Sequence, residues 1–298
     1  MSHDTHDHDR GLPADLEMLL NQLRPRRNVL RMLGMSAGGL ILTGCGGGGS
    51  SDGTTTTGTT TGTGTTTGTS TSSACSVTVS ETEGPYPADG SNSSNGTLRN
   101  VLATSGVVRS DIRSSFGGVS TNTAAGLPVT LAIQIVNTNA SCAPLAGYAI
   151  YIWHCTQSGQ YTLYDLPNEN YLRGVQVTDA NGMVSFTTIF PGCYSGRWPH
   201  IHFEIYPTLA TATSYRNKVL TSQFALPQAV CNTVYNLTSG YTSSRSNFQS
   251  ISLATDNVFR DNTTAQITAM TPAFSGDATS GYSAAVTRSE ERRVGKEC

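Results

Sequence analysis

From Gly46 to Ser73 the chain has no aromatic and no aliphatic side chain; apart from Asp52 it is all Gly, Thr and Ser. Such a stretch buries nothing that offsets the entropy of ordering it, so it reads as a flexible linker. Charge is scarce too: Asp, Glu, Lys and Arg make up 13% of 298 residues and the net charge is −2. No Lys/Arg stripe marks the region after the linker, which excludes the phosphate neutralisation that a nucleic-acid partner demands. No Cys-x-x-Cys pair occurs, and no Asp or Glu stands at a usual zinc-site spacing from a histidine. Beyond Cys45 the chain has only three histidines, His154, His200 and His202.

The first 45 residues read as an address. Arg26-Arg27 stands ahead of a mildly apolar run, Leu33 to Leu42, too short and too Gly-rich to span a bilayer comfortably. Leu42-Thr43-Gly44-Cys45 closes the run and resembles the lipobox of bacterial lipoproteins, in which the cysteine becomes the lipidated first residue. The order of these features implies an exported domain on the periplasmic or extracellular side, held to the membrane through Cys45 alone. His3, His6 and His8 lie upstream, in a solvated leader or an over-extended start with Met18 the true one, and are set aside from the site.

Residues 74–287 are left to fold, enough for one sizeable core. Leu127 to Val136 alternates as a strand and Asn137 to Ser141 turns. Tyr148–Cys155, Gly174–Thr178, Val184–Ile189, Pro199–Tyr206 and Val219–Leu226 read as further strands, with Asp179-Ala180-Asn181-Gly182 as a turn. Short strands at this spacing imply an all-β sandwich or barrel in a single domain. Ala229 to Val258 is less periodic and reads as a short helix or an irregular covering segment.

His200 and His202 sit two apart on a strand and so point to one face, which suits two imidazoles on one metal ion. By itself such a pair serves equally well as the polar face of a strand. Its company matters: Pro191-Gly192-Cys193-Tyr194-Ser195-Gly196-Arg197 precedes it, a tight loop carrying a phenol and a guanidinium. Two imidazoles completed by phenolates favour a hard trivalent metal, such as ferric iron, over zinc.

Thr82-Glu-Gly-Pro-Tyr86, Tyr151-Ile-Trp-His-Cys155 with Gly159-Gln-Tyr161, Leu172 to Asp179, and Thr188 through Pro191-Gly-Cys-Tyr194 and Arg197-Trp-Pro to His200-Ile-His202 together resemble the intradiol ring-cleavage dioxygenases, with their exported single-domain subgroup. The resemblance runs from Cys75 to about Asp261. It implies a transthyretin-like β-sandwich and non-haem Fe(III) held by Tyr161, Tyr194, His200 and His202. Tyr161 and His200 would be equatorial, Tyr194 and His202 axial. It further implies that Arg197 stabilises charge developing on the substrate, that Gln223 lines the pocket, that Tyr194 leaves the metal as substrate arrives, and that a catechol-type aromatic and O2 are the substrates. Cys193 stands where the exported relatives usually carry an aromatic, and the loop from Tyr194 to His200 is short beside that of the catechol dioxygenases. His154 is expected to be a hydrogen-bonded structural or supporting histidine.

Between Cys45 and Cys298 lie Cys75, Cys142, Cys155, Cys193 and Cys231, enough for two disulfides in an oxidising compartment. The pairings expected are Cys193–Cys231 and Cys75–Cys142. Ser289 to Cys298 carries six charges in ten residues, unlike anything before it, so the domain is expected to end at Thr287 and 288–298 to be an unpacked tail. Two other classes compete with the enzyme: a non-catalytic, envelope-tethered binding module on the same sandwich, and a zinc or copper hydrolase or storage protein.

Overall fold

The computed structural model describes residues 78–290. The linker, the twin arginine, the lipobox Cys45, Cys75 and the upstream histidines all lie outside the described residues.

The strand read from Leu127 to Val136 is β3 (Pro128–Asn137). Its odd residues Val129, Leu131, Ile133 and Ile135 are buried, while Thr130 is exposed and Gln134 half-buried, as period-two alternation requires. β3 pairs antiparallel with β7 (Met183–Ile189), Leu131 opposite Phe186, and at its far end with the short β4 (Ala143–Pro144). Along its other edge β3 pairs in parallel with β11 (Gly281–Glu290), which forms an antiparallel hairpin with β10 (Ala273–Asp277).

The second sheet is antiparallel throughout, in the order β6 (Arg173–Val177), β5 (Ala149–Trp153), β8 (His200–Tyr206), β9 (Leu220–Ala225). β5, β8 and β9 are buried on both faces, which is why their sequences read as continuous apolar runs. Ile150, Ile152, Ile201, Ile205, Phe203 and Phe224 join the core cluster that holds the inward residues of β3 and β7. This is a β-sandwich. Truncating one of these side chains to Ala costs about 2–5 kcal/mol.

The other face of the second sheet positions the site. Register sets Arg173, Trp153, His202 and Gln223 in one row across all four strands. The next row holds Val175, Tyr151, Glu204 and Thr221. A segment over residues 79–87, ahead of the hairpin β1 (Asp89–Ser94) and β2 (Thr97–Asn100), is strapped to β9: Glu81 N donates to Thr221 O at 2.9 Å and Ser222 Oγ to Val79 O at 2.7 Å. Arg173 holds the strap from below, donating to the carbonyls of Tyr86 (2.9 Å) and Pro87 (3.0 Å).

The irregular stretch after β9 holds two helices, α1 (Gln228–Leu237) and α2 (Thr242–Gln249), and a third, α3 (Thr264–Met270), follows under a Thr263/Gln266 capping box. Among the described residues no helix is long and apolar enough to cross a membrane.

Two expectations need correction. The domain does not end at Thr287: β11 continues through Arg288, Ser289 and Glu290, opposite Ile135, Val136 and Asn137 of β3. Arg288 is 2% exposed, with its guanidinium over the rings of Phe224 (4.9 Å) and Phe203 (5.4 Å) and a bond to Ala269 O at 2.7 Å. Composition misled there because Arg288 and Glu290 share the charged character of the segment that follows them. The Cys193–Cys231 bridge does not form either. Both thiols are free and buried, as is Cys155, and Cys193 Sγ donates instead to Arg197 O at 3.4 Å. Cys142 is disulfide-bonded.

Candidate metal centre

His200 and His202 project from β8 to the same face because Ile201 between them faces the core. Their Nε2 atoms lie 3.0 Å apart. Two loops bring phenols to this point. Tyr161, in the loop between β5 and β6, places its hydroxyl 3.4 Å from His200 Nε2, and Tyr194, in the loop between β7 and β8, places its own at 3.3 Å. The loops approach closely at Gly159, where φ is +86° and a Cβ would lie 3.0 Å from Tyr194 Cβ, so glycine is needed for both backbone and space.

Tyr161 is 1% exposed and both histidines are 2% exposed; Tyr194 is the half-buried member of the four. Burial, helped by the nearby Arg197 charge, pushes His200 down to about 3, and burial with the neighbouring His200 takes His202 well below the usual histidine range. Both imidazoles are therefore neutral, the form that binds a metal. Burial, reinforced by the neighbouring phenol of Tyr194, raises Tyr161 well above the usual tyrosine range. A cation close by would favour its phenolate, as Arg197 does in part. Two neutral nitrogens and two phenols converging on one point fit a trivalent, oxygen-seeking metal. Among the described residues no group of three or more His, Cys, Asp or Glu side chains gathers as an alternative site.

Arg197 is buried beside these four. Its Nε donates to Asp256 Oδ2 at 2.9 Å and its Nη2 to Gln223 Oε1 at 2.7 Å. Gln223 passes the connection on, its Nε2 donating to Thr82 O in the strap at 2.8 Å. Burial works against the charge on Arg197, but Asp256 and the phenols of Tyr194 and Tyr161 hold it cationic. The structure thus brings Tyr161, Tyr194, His200, His202, Arg197 and Gln223 together. His154 is a supporting histidine, its Nδ1 2.8 Å from Cys155 O and its Nε2 2.7 Å from Thr188 Oγ1.

Sequence reasoning missed Asp256 and Arg173. Asp256 also accepts from the backbone N–H groups of Trp198 (2.6 Å), Val258 (2.8 Å) and Phe259 (2.9 Å). The only local signal was an Asp able to turn its own backbone, which is common in loops. Nothing in the sequence linked it to Arg197, 59 positions earlier.

Residues 112–221 match the family model described as dioxygenase, a span that contains Tyr161, Tyr194, Arg197, His200 and His202. The fold is similar to an intradiol ring-cleavage dioxygenase from Tetranychus urticae, at a TM-score of 0.55 and 22% identity over 74% of this chain and 96% of that one. Weaker likenesses reach the dioxygenase domain of a dioxygenase carbohydrate-binding protein fusion from Streptomyces sp. SirexAA-E (TM-score 0.44, 21% identity, 72% and 99% covered). They also reach catechol 1,2-dioxygenase from Pseudomonas arvilla C-1 (TM-score 0.41, 18% identity, 65% and 60% covered). No curated protein sequence matches the chain.

Proposed function

We propose that the chain is an intradiol ring-cleavage dioxygenase, one that cleaves a catechol-type aromatic with O2 using non-haem Fe(III). The carrying observation is the convergence of two phenol oxygens and His202 Nε2 on His200 Nε2, at 3.0 to 3.4 Å. Tyr161, Tyr194, His200 and His202 would hold the iron. Ferric iron there would supply a Lewis-acidic, redox-capable centre for a catechol bound through both oxygens.

The remaining chemistry falls to the protein's own groups. Tyr194 is half-buried on a loop, while Tyr161 is enclosed, so Tyr194 is the more accessible phenol to an incoming substrate. As a phenolate, Tyr194 would take a proton from the incoming catechol hydroxyl. Arg197, fixed through Nε and Nη2, offsets anionic character on the ring. Both atoms of O2 enter the product, the bond between the two hydroxyl-bearing carbons breaks, and a muconate-type diacid forms with no other reductant.

The test is iron analysis together with oxygen consumption and product mass over a panel of catechols. Ferric iron near one per chain with one O2 consumed per ring opened supports the proposal. A protein that binds aromatics without oxygen uptake supports the binding module instead. The proposal also covers location: export and tethering at Cys45, on the strength of the twin arginine, lipobox and linker that lie outside the described residues.

A further inference from the structure

The two candidate ligand histidines are supported in different ways. His200 has a partner for its second nitrogen: Nδ1 lies 2.5 Å from Trp198 O, which fixes the tautomer and turns Nε2 towards the centre. His202 has none, its buried Nδ1 being without a hydrogen-bond partner. A metal-binding histidine almost always gives its second nitrogen to a carboxylate, a carbonyl or water, and that bond sets the ring plane. Something else must set the plane of His202.

The neighbouring strand supplies it. Trp153, opposite His202 in the β5–β8 register, lies with its ring 4.8 Å from the imidazole and 4° from parallel. Trp153 is itself held, stacked on Tyr151 at 5.0 Å and 21°. Tyr151 is fixed in turn by Pro87 O (2.8 Å) and Arg173 (3.0 Å). The strap closes on the imidazole edge at Gly84, where φ is +68° and a Cβ would stand 3.4 Å from His202 Cε1.

We propose that Trp153 is the positioning residue for His202, fixing its ring by face-to-face stacking in place of a hydrogen bond at Nδ1, with Gly84 of the strap bounding the slot. The inference rests on the iron site proposed above. Tyr151, Trp153 and His202 form a stack from Arg173 inward, so the element that anchors the strap also orients one of the metal's nitrogens. Nδ1 of His202 stays free of a tautomer-fixing bond, making it the softer-held of the two imidazoles.

The experiment compares full-length wild type with Trp153→Leu, Trp153→Phe and Gly84→Ala. Ferric iron supplied from a weak chelator is titrated into each protein after iron removal, and the ring nitrogens of the iron-free proteins are followed by ¹⁵N NMR. Trp153→Leu is expected to lose roughly 10–100-fold in iron affinity, the scale typical of a ligand's outer support, with Trp153→Phe recovering most of it. The His202 nitrogen signals should shift or average in Trp153→Leu and Gly84→Ala, while those of His200 stay as in wild type. Wild-type affinity with unchanged His202 signals in a folded Trp153→Leu protein overturns the inference. If Trp153→Leu does not fold, unchanged His202 signals in Gly84→Ala overturn it equally. The NMR comparison needs no metal, so wild type failing to bind iron counts against the proposed function and leaves the positioning question readable.

Discussion

Asp256 Oδ2 accepts the Nε–H of Arg197 at 2.9 Å, in an ion pair with side chains 0% and 5% exposed. The carboxylate of Asp256 takes three backbone N–H groups as well, so the loop after α2 and the loop carrying the candidate ligands share one anchor. Asp256→Ala leaves Arg197 buried without its counter-charge and is expected to cost about 3–5 kcal/mol. Chemical denaturation measures this. Asp256→Asn keeps the shape, loses the charge and should fall between the two.

The same pair sets an acid limit on stability. Burial raises the Asp256 carboxyl, but Arg197 and the hydrogen bonds from it and the backbone outweigh that and leave it below the ordinary 3.8. A depressed carboxylate contributes stability above its unfolded value, and that contribution is lost as pH falls through the folded one. Melting temperature should therefore drop in acid below about pH 4, and Asp256→Asn should drop less steeply. Parallel pH profiles for the two proteins would contradict this.

Glu81 has the opposite sign. Burial raises it to about 7, against a lowering hydrogen bond from Asn262 at 2.8 Å. A raised carboxyl stabilises the fold at low pH and loses that contribution as pH rises through the folded value. Stability referenced to Glu81→Gln should thus decline between the ordinary 4.5 and about 7, read from melting curves across that window.

The strand β11 supplies a fourth expectation. Truncation after Thr287 removes Arg288 from its place over Phe224 and Phe203 and strips β3 of its pairing at Ile135 to Asn137. It is expected to lower the melting temperature by several degrees, the scale of about 1–2 kcal/mol. Truncation after Glu290 keeps this strand whole and should leave the melting temperature higher than truncation after Thr287 does.

The sandwich was legible because β3, β5, β7, β8 and β9 each carry a complete signal, either alternation or an apolar run bounded by turns. The candidate ligands were legible because His200-x-His202 needs only a strand to share a face, and because Tyr194 and Arg197 lie in the same short stretch. What stayed hidden depended on contacts distant in sequence. The parallel pairing of β11 with β3 joins residues about 150 apart. Likewise Asp256 meets Arg197, and Gly84 meets His202, only through the folded chain.

The free thiols correct a reading made from position alone. Burial drives Cys193 up to about 12 and Cys155 and Cys231 also upward, which disfavours the thiolate, the nucleophilic form, at all three. Iodoacetamide should leave them unlabelled in the native state and alkylate all three after unfolding without reductant. Mass spectrometry of peptides reads the result, and a disulfide at Cys193 would contradict it.

The most direct measurement compares Tyr194→Phe with Tyr161→Phe for iron content, visible absorbance with and without catechol, and product formation. Phenolates on ferric iron give an intense charge-transfer colour, so both substitutions should change the band. Tyr161 is enclosed at 1% exposure, and its loss should weaken iron retention itself. Tyr194→Phe should still hold iron and bind catechol but turn over slowly, lacking the group that takes the substrate's proton. Wild-type colour with full turnover in Tyr194→Phe would mean that Tyr194 is neither ligand nor base, and the proposed chemistry would fall.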